Sequence, residues 1–192
     1  MKNQQKELLK ALLRRLLAEL YDPKVLNFGS GTCVDIHEFL TEMPNSEMQM
    51  DCLEEDPEAT GFARKLNESH TNYLSFIQQG VLDFQTNKKY DFIWSRDSLD
   101  KVEDEVFIQL LQRFGGWLQP GGAIAISCCD EEDCKNTSSR RALDVCLEYR
   151  NENKLKELAY RAGYNSNQVT VVNGPKSPDG AINLLLIQDL AN

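Results

Sequence analysis

The chain lacks a long apolar run, so nothing in it reaches the length of a membrane-spanning helix. Nothing resembles a secretory signal either. Histidine is nearly absent: His37 and His70 are the only two. The six cysteines, at 33, 52, 128, 129, 134 and 146, show no paired knuckle spacing, so no metal site is expected. They read as reduced, mostly buried thiols in a cytoplasmic protein. An excess of basic charge is also missing. Twenty-one bases against thirty acids leave a net charge of −9, which argues against a phosphate-tracking surface for nucleic acid. Internal repeats and low-complexity stretches are absent.

What is present is a chain of 192 residues with 41% hydrophobic and 27% charged residues, the balance of a soluble globular domain. The opening "MKNQQKELLKALLRRLLAEL" repeats leucine at 8, 9, 12, 13, 16, 17 and 20, which predicts a helix with one broad apolar face. Three roles fit it: a presequence, which Glu7, Glu19 and the lack of serine oppose; a membrane-surface helix; or a helix packed on the chain's own sheet. A protein partner or a second copy docking on its apolar face is a further expectation. We divide the chain into this helix, residues 1–21, and one domain, residues 22–192.

Beyond Asp22-Pro23 the pattern alternates. "KVLNF" (24–28), "EMQMDCLE" (47–54), "YLSFIQ" (73–78), "YDFIWS" (90–95) and "AIAIS" (123–127) read as strands. Helices are expected over about 33–40, from Pro57 behind an Asp56 cap to about 66, over 103–118, and over about 152–161 before Gly163. "QPGG" (119–122) reads as a turn. "QVTVV" (168–172) and "INLLLIQ" (182–188), joined through Ser177-Pro178-Asp179-Gly180, leave no room for a crossover helix and should pair antiparallel. The expected fold is α/β: a Rossmann-like, doubly wound, mostly parallel seven-stranded sheet with a terminal antiparallel hairpin. The polar segment "CCDEEDCKNTSSRR" (128–141) leaves a central strand where ligands sit in such sheets. Its acids, Asp130 to Asp133, would draw a cationic substrate or simply face water.

Three strand ends carry the candidate site. "VLNFGSGT" runs a strand into Gly29-Ser30-Gly31, a turn that brings backbone close to a nucleotide-like ligand. Glu54 ends the next strand, where an acid accepts both hydroxyls of a ribose. Ser95-Arg96-Asp97 follows the apolar strand Phe92-Ile93-Trp94. A dinucleotide would need a third glycine for its pyrophosphate, yet Cys33 and Val34 stand there; S-adenosylmethionine carries no phosphate and makes no such demand.

With these motifs in order, residues 22–190 resemble the class I S-adenosylmethionine-dependent methyltransferases. "VLNFGSGT" looks like their glycine motif and "LEEDPEATGFARKL" like their acidic strand end. "YDFIWSRDSL" with "WLQPGGAIAIS" looks like their fourth and fifth strands. Within the class, residues 90–129 and the later "AGY" (162–164) resemble the phosphoethanolamine N-methyltransferases, which act toward phosphocholine. The resemblance implies S-adenosylmethionine as cofactor, held by Asn27, Gly29, Ser30, Gly31, Glu54, Gly80, Val81, Ser95 and Arg96. It implies Asp97 as the group orienting a substrate amine. Lys101 stands where that family has a histidine; a lysine near its ordinary pKa of ~10.4 attracts phosphate but is a poor base. Asn27 replaces a common aspartate, Cys33 a glycine, and the family's tyrosine lid pattern is missing. The expected activity is methyl transfer to the amine of a small phospho-base. Its rivals are an inactive domain kept for structure or partner binding, and a protein or peptide amine methyltransferase.

Overall fold

The computed structural model describes residues 2–44, 46–96, 98–129, 148–173 and 182–189, with the side chains of 2–6 and 182 excepted. Asp97, the Ser177–Gly180 turn, Asp130 to Asp133, Cys134 and Cys146 lie outside the described residues. In chain order the elements are α1 (Lys2–Glu19), β1 (Lys24–Phe28), α2 (Val34–Glu42), β2 (Gln49–Glu54), α3 (Pro57–Leu66) and β3 (Leu74–Gln78). There follow β4 (Tyr90–Arg96), α4 (Asp104–Trp117), β5 (Leu118–Cys129), α5 (Glu152–Arg161), β6 (Val169–Asn173) and β7 (Ile182–Gln188). The seven strands form one sheet in the order β3-β2-β1-β4-β5-β7-β6. β1 and β3 flank β2 in parallel register, while β7 runs antiparallel to both β5 and β6. This is the expected Rossmann-like, mostly parallel sheet with its antiparallel hairpin. No described helix is long and apolar enough to cross a membrane.

Two compact units divide the chain, Lys2–Trp94 and Ser95–Asn192. In the first, β1 and β2 are buried along nearly their whole length, Val25, Leu26, Phe28, Met50, Cys52 and Leu53 among the core side chains. The leucine face of α1 packs within this unit: Leu9 and Leu13 are buried, while Leu20 and Tyr21 at its end are exposed. Lys10 is 3% exposed and its ammonium reaches Glu42 and Glu38 on α2, which raises its pKa against the opposing effect of burial. Asp56 caps α3 as expected, its carboxylate accepting from Glu58 N–H at 2.9 Å, with Pro57 in the first helical position. Asp51 interrupts the apolar β2. It is 5% exposed and is satisfied by the Tyr90 hydroxyl at 2.7 Å and Lys88 Nζ at 2.8 Å. Burial and the Asp51 carboxylate push the Tyr90 phenol well up.

In the second unit, β5 starts at Leu118, straight after α4, so "QPGG" runs as strand rather than as a separate turn; Gly121 takes φ 81° on the way. Gly115 inside α4 has a packing reason. Its Cβ would stand 2.7 Å from the Tyr164 hydroxyl, which donates to Leu111 C=O at 2.8 Å. Burial, with Asp189 adding to it, pushes the Tyr164 phenol up to about 12. Gly163 closes α5 at φ 103°.

Candidate functional site

The first unit gathers Gly29, Ser30, Gly31 and Glu54 at the ends of β1 and β2. Three residues in five take left-handed backbone: Gly29 at φ 60°, Gly31 at φ 56° and Cys33 at φ 51°. The two glycines adopt this at little cost, whereas Cys33 is strained there. Ser30 N–H donates to Leu53 C=O at 3.1 Å, which lays the turn on the end of β2. Glu54 then clasps it. Its Oε2 accepts from Gly31 N–H at 2.7 Å and its Oε1 from Asp56 N–H at 3.1 Å. Each carboxylate oxygen keeps a second lone pair for a ligand hydroxyl. A Cβ at Gly31 would meet nothing within 4 Å, so the turn faces open space. A half-buried acid beside a turn that carries two glycines fits a ribose-bearing cofactor with no phosphate.

Gly80 and Val81 follow β3. A Cβ on Gly80 would lie 3.0 Å from Glu55 Oε2, so this turn sits against the segment that follows Glu54. Gly80 C=O accepts from Asp83 N–H at 3.2 Å and Phe84 N–H at 3.1 Å. Asn27 is buried in β1, opposite Cys52 in register. It therefore lies in the strand behind the turn.

The second unit opens with Ser95, fully buried, its hydroxyl hydrogen-bonded to that of Ser98. Arg96 is half-buried and Lys101 exposed, in the loop before α4. Sequence reasoning missed what holds this loop. Arg150 is 0% exposed, and its guanidinium donates to Leu99 C=O at 2.9 Å, to Val102 C=O, and to Asp104 Oδ1 at 3.2 Å. It also stacks 4.4 Å over the Phe107 ring. Asp100, buried as well, accepts from Cys129 N–H at 3.1 Å through its carboxylate and from Glu148 N–H at 2.6 Å through its carbonyl. Asn183 in β7 donates to Arg150 C=O at 3.0 Å. A polar residue in the apolar run "INLLLIQ" was the one available signal. Among the described residues no group of three or more metal-binding side chains forms.

Comparison with known proteins adds to this geometry. A family model described as a methyltransferase domain matches residues 1–169. A malonyl-[acyl-carrier protein] O-methyltransferase of Ilyobacter polytropus is 32% identical over 104 residues, 54% of this chain and 37% of that protein. A second from the same organism is 27% identical over 126 residues, covering 65% and 47%. The chain thus matches less than half the length of either relative. Among solved structures, an N-methyltransferase of Bradyrhizobium japonicum WM9 with S-adenosyl-L-homocysteine superposes at TM-score 0.66 and 16% identity, covering 97% of this chain and 86% of that one. Magnesium protoporphyrin IX methyltransferase of Synechocystis PCC 6803, also with bound S-adenosyl-L-homocysteine, gives TM-score 0.73 at 13% identity, covering 96% and 82%. Family and neighbours together indicate S-adenosylmethionine as the cofactor, as expected from the motifs. They do not single out the phosphoethanolamine enzymes within the class.

Proposed function

We propose that this chain, which belongs to the methyltransferase-domain family, transfers a methyl group from S-adenosylmethionine to the amine of a small phospho-base. The observation that carries the cofactor half is the 2.7 Å bond by which Glu54 clasps the glycine turn, since it aims one acid and one bare backbone stretch together. In this reading Gly29, Ser30 and Gly31 lie along the methionine part and Glu54 accepts the ribose hydroxyls. Gly80 and Val81 border the adenine, with Asn27 behind the turn. When bound, the cofactor supplies a methyl group on a positively charged sulfur. Ser95 and Arg96 border that group, and Asp97 accepts a hydrogen bond from the amine so that its lone pair points at the methyl carbon. Lys101, exposed on its loop, attracts the substrate phosphate. Orientation and charge placement do most of the work in such a transfer. Residues 22–192 carry the reaction in the cytoplasm, with residues 1–21 as an appended helix whose exposed end, Leu20 and Tyr21, is the part left for a partner or second copy.

Calorimetry with S-adenosylhomocysteine tests the cofactor. We expect binding, and Glu54→Ala to weaken it by about 1–3 kcal/mol. No heat at millimolar ligand would sink the reading. Radiolabelled methyl transfer then sorts acceptors: phosphoethanolamine and its methylated forms, a peptide amine, and a malonyl thioester, the class named for the Ilyobacter relatives. Label in phosphoethanolamine, abolished by Asp97→Asn, is the expected result. A second reading, an inactive domain kept for structure or partners, is favoured by strained Cys33 in the turn and by buried Asn27. S-adenosylhomocysteine binding without turnover on any acceptor would select it.

A further inference from the structure

The end of β1 away from the glycine turn borders a cavity that the proposed chemistry leaves unused. Its volume is about 460 Å³, within the usual range of about 300–1,000 Å³ for small-molecule sites. Leu17 and Leu20 of α1 and Met43 behind α2 give it an apolar wall, and Tyr21, 88% exposed, stands at its rim. Pro23 C=O accepts from Gln49 N–H at 2.9 Å, which joins the two segments of the wall where β1 and β2 start. The open polar groups are all of one kind. Asp22 and Glu47 bring carboxylates, and neither pairs with a lysine or arginine among the described residues. Ser46, 7% exposed, donates its hydroxyl proton to Met43 C=O at 2.8 Å, so its oxygen has only lone pairs to offer the cavity. Glu42 lines the cavity as well, but Lys10 at 2.5 Å and Arg14 at 2.8 Å already hold its carboxylate. The Glu47 carboxylate raises the pKa of the Tyr21 phenol, chiefly by accepting its hydrogen bond, which sets acid and ring together.

We propose that this cavity binds a small molecule that carries a protonated primary amine on an aromatic or aliphatic body. A primary ammonium has N–H donors and no acceptor, the complement of two carboxylates and a serine oxygen. Its charge settles at Asp22 and Glu47 beside the Tyr21 ring, whose face attracts a cation. The body lies on Leu17, Leu20 and Met43, out of water. An anion is refused, because every open polar group is an acceptor. A metal ion is not the cation, since among the described residues no three metal-binding side chains come together and half of the wall is apolar. The whole of β1 separates this cavity from Gly29, so the amine does not enter the glycine turn, and the site stands whether or not the methyl-transfer reading does. The exposed end of α1 thus receives a ligand of its own, which a protein partner docking there would displace.

The test titrates the full chain with tryptamine, a protonated primary amine on an indole, and follows backbone amide shifts by NMR and heat by calorimetry. Tryptophol, the same indole with a hydroxyl in place of the ammonium, is the control. We expect saturable shifts over residues 17–22 and 42–47. Tryptophol should bind about tenfold more weakly, the scale of one or two partly exposed ion pairs. Asp22→Asn combined with Glu47→Gln should weaken tryptamine by about the same factor and leave tryptophol unchanged. Neither side chain is buried, and asparagine takes left-handed backbone as aspartate does at φ 47°, so the variant should fold. Asp97→Asn, at the proposed acceptor site, should leave tryptamine binding as it is. No shift at millimolar tryptamine would overturn the proposal, as would equal affinity for the two indoles. Binding that survives the Asp22 and Glu47 changes but is lost with Asp97→Asn would place the amine at the acceptor site and overturn it too.

Discussion

The turn Gly29–Cys33 and the loop Ser98–Glu103 each follow a strand, and different kinds of contact hold them. The turn is shaped from within: left-handed residues set its path, and its outside anchors, Leu53 C=O and the Glu54 carboxylate, belong to a neighbouring strand end. The loop contains no left-handed residue and is shaped from without. Arg150 gathers Leu99 and Val102 carbonyls and the Asp104 carboxylate, and Asp100 ties the loop to Cys129 and Glu148. Backbone preference thus sets the turn, while a buried charge brought from far along the chain sets the loop. A change of side chain costs little in the turn; in the loop it threatens the fold.

The largest expected effect follows from that difference. Arg150→Met keeps much of the apolar stem yet strands two buried carbonyls and the Asp104 carboxylate, at a cost of about 3–5 kcal/mol. Urea unfolding reads the loss. Native-state amide exchange should speed up over residues 98–104 and stay unchanged over 29–33. Equal acceleration in both segments would mean that the loop does not depend on Arg150 in particular.

A smaller stability effect and a larger ligand effect are expected from Gly31→Ala. A Cβ there meets open space, so the cost is that of left-handed backbone alone, about 1–2 kcal/mol. If the turn holds the cofactor as proposed, S-adenosylhomocysteine affinity should fall more than stability does, because the methyl group would project into the ligand's space. A variant as stable and as tight-binding as the natural chain would show that the turn is not where the cofactor lies.

The same contrast explains what could be read from the sequence. Gly29, Gly31 and Glu54 were legible because a strand, a glycine pair and an acid at the next strand end are local patterns with a chemical reason. Most described strands and α-helices were legible for a similar reason, since periodicity and caps such as Asp56-Pro57 are local too; the short 3-10 turn Glu68–His70 and the strand course of "QPGG" were not. Arg150 was not, for its partners lie 46 to 51 residues away and its burial depends on packing that no pattern near "LEYRNEN" announces. Gly115 gave a misleading signal. It weakens a helix by propensity, yet the structure uses its missing side chain to seat the Tyr164 hydroxyl.

Asp104→Asn gives the smallest effect and isolates the charged part of the Arg150 network. Burial would raise this carboxyl, but Lys154, with Nζ at 2.8 Å, and the Arg150 guanidinium outweigh it and hold the carboxyl below its usual range. A carboxyl depressed in the folded state stays ionised there at a pH where the unfolded chain has begun to take up a proton. Its contribution is therefore complete above about pH 4, the unfolded value, and is lost as pH falls through the folded one. At pH 7 the variant should be less stable by about 1 kcal/mol, the scale of a partly exposed ion pair. Near pH 3 the natural chain is losing that contribution while the variant has none to lose, so the gap should narrow. Paired urea titrations at pH 7 and pH 3 read the difference directly. No gap at either value would show that Asp104 acts through shape, as an amide could, and that Arg150 holds the loop by its carbonyl bonds alone.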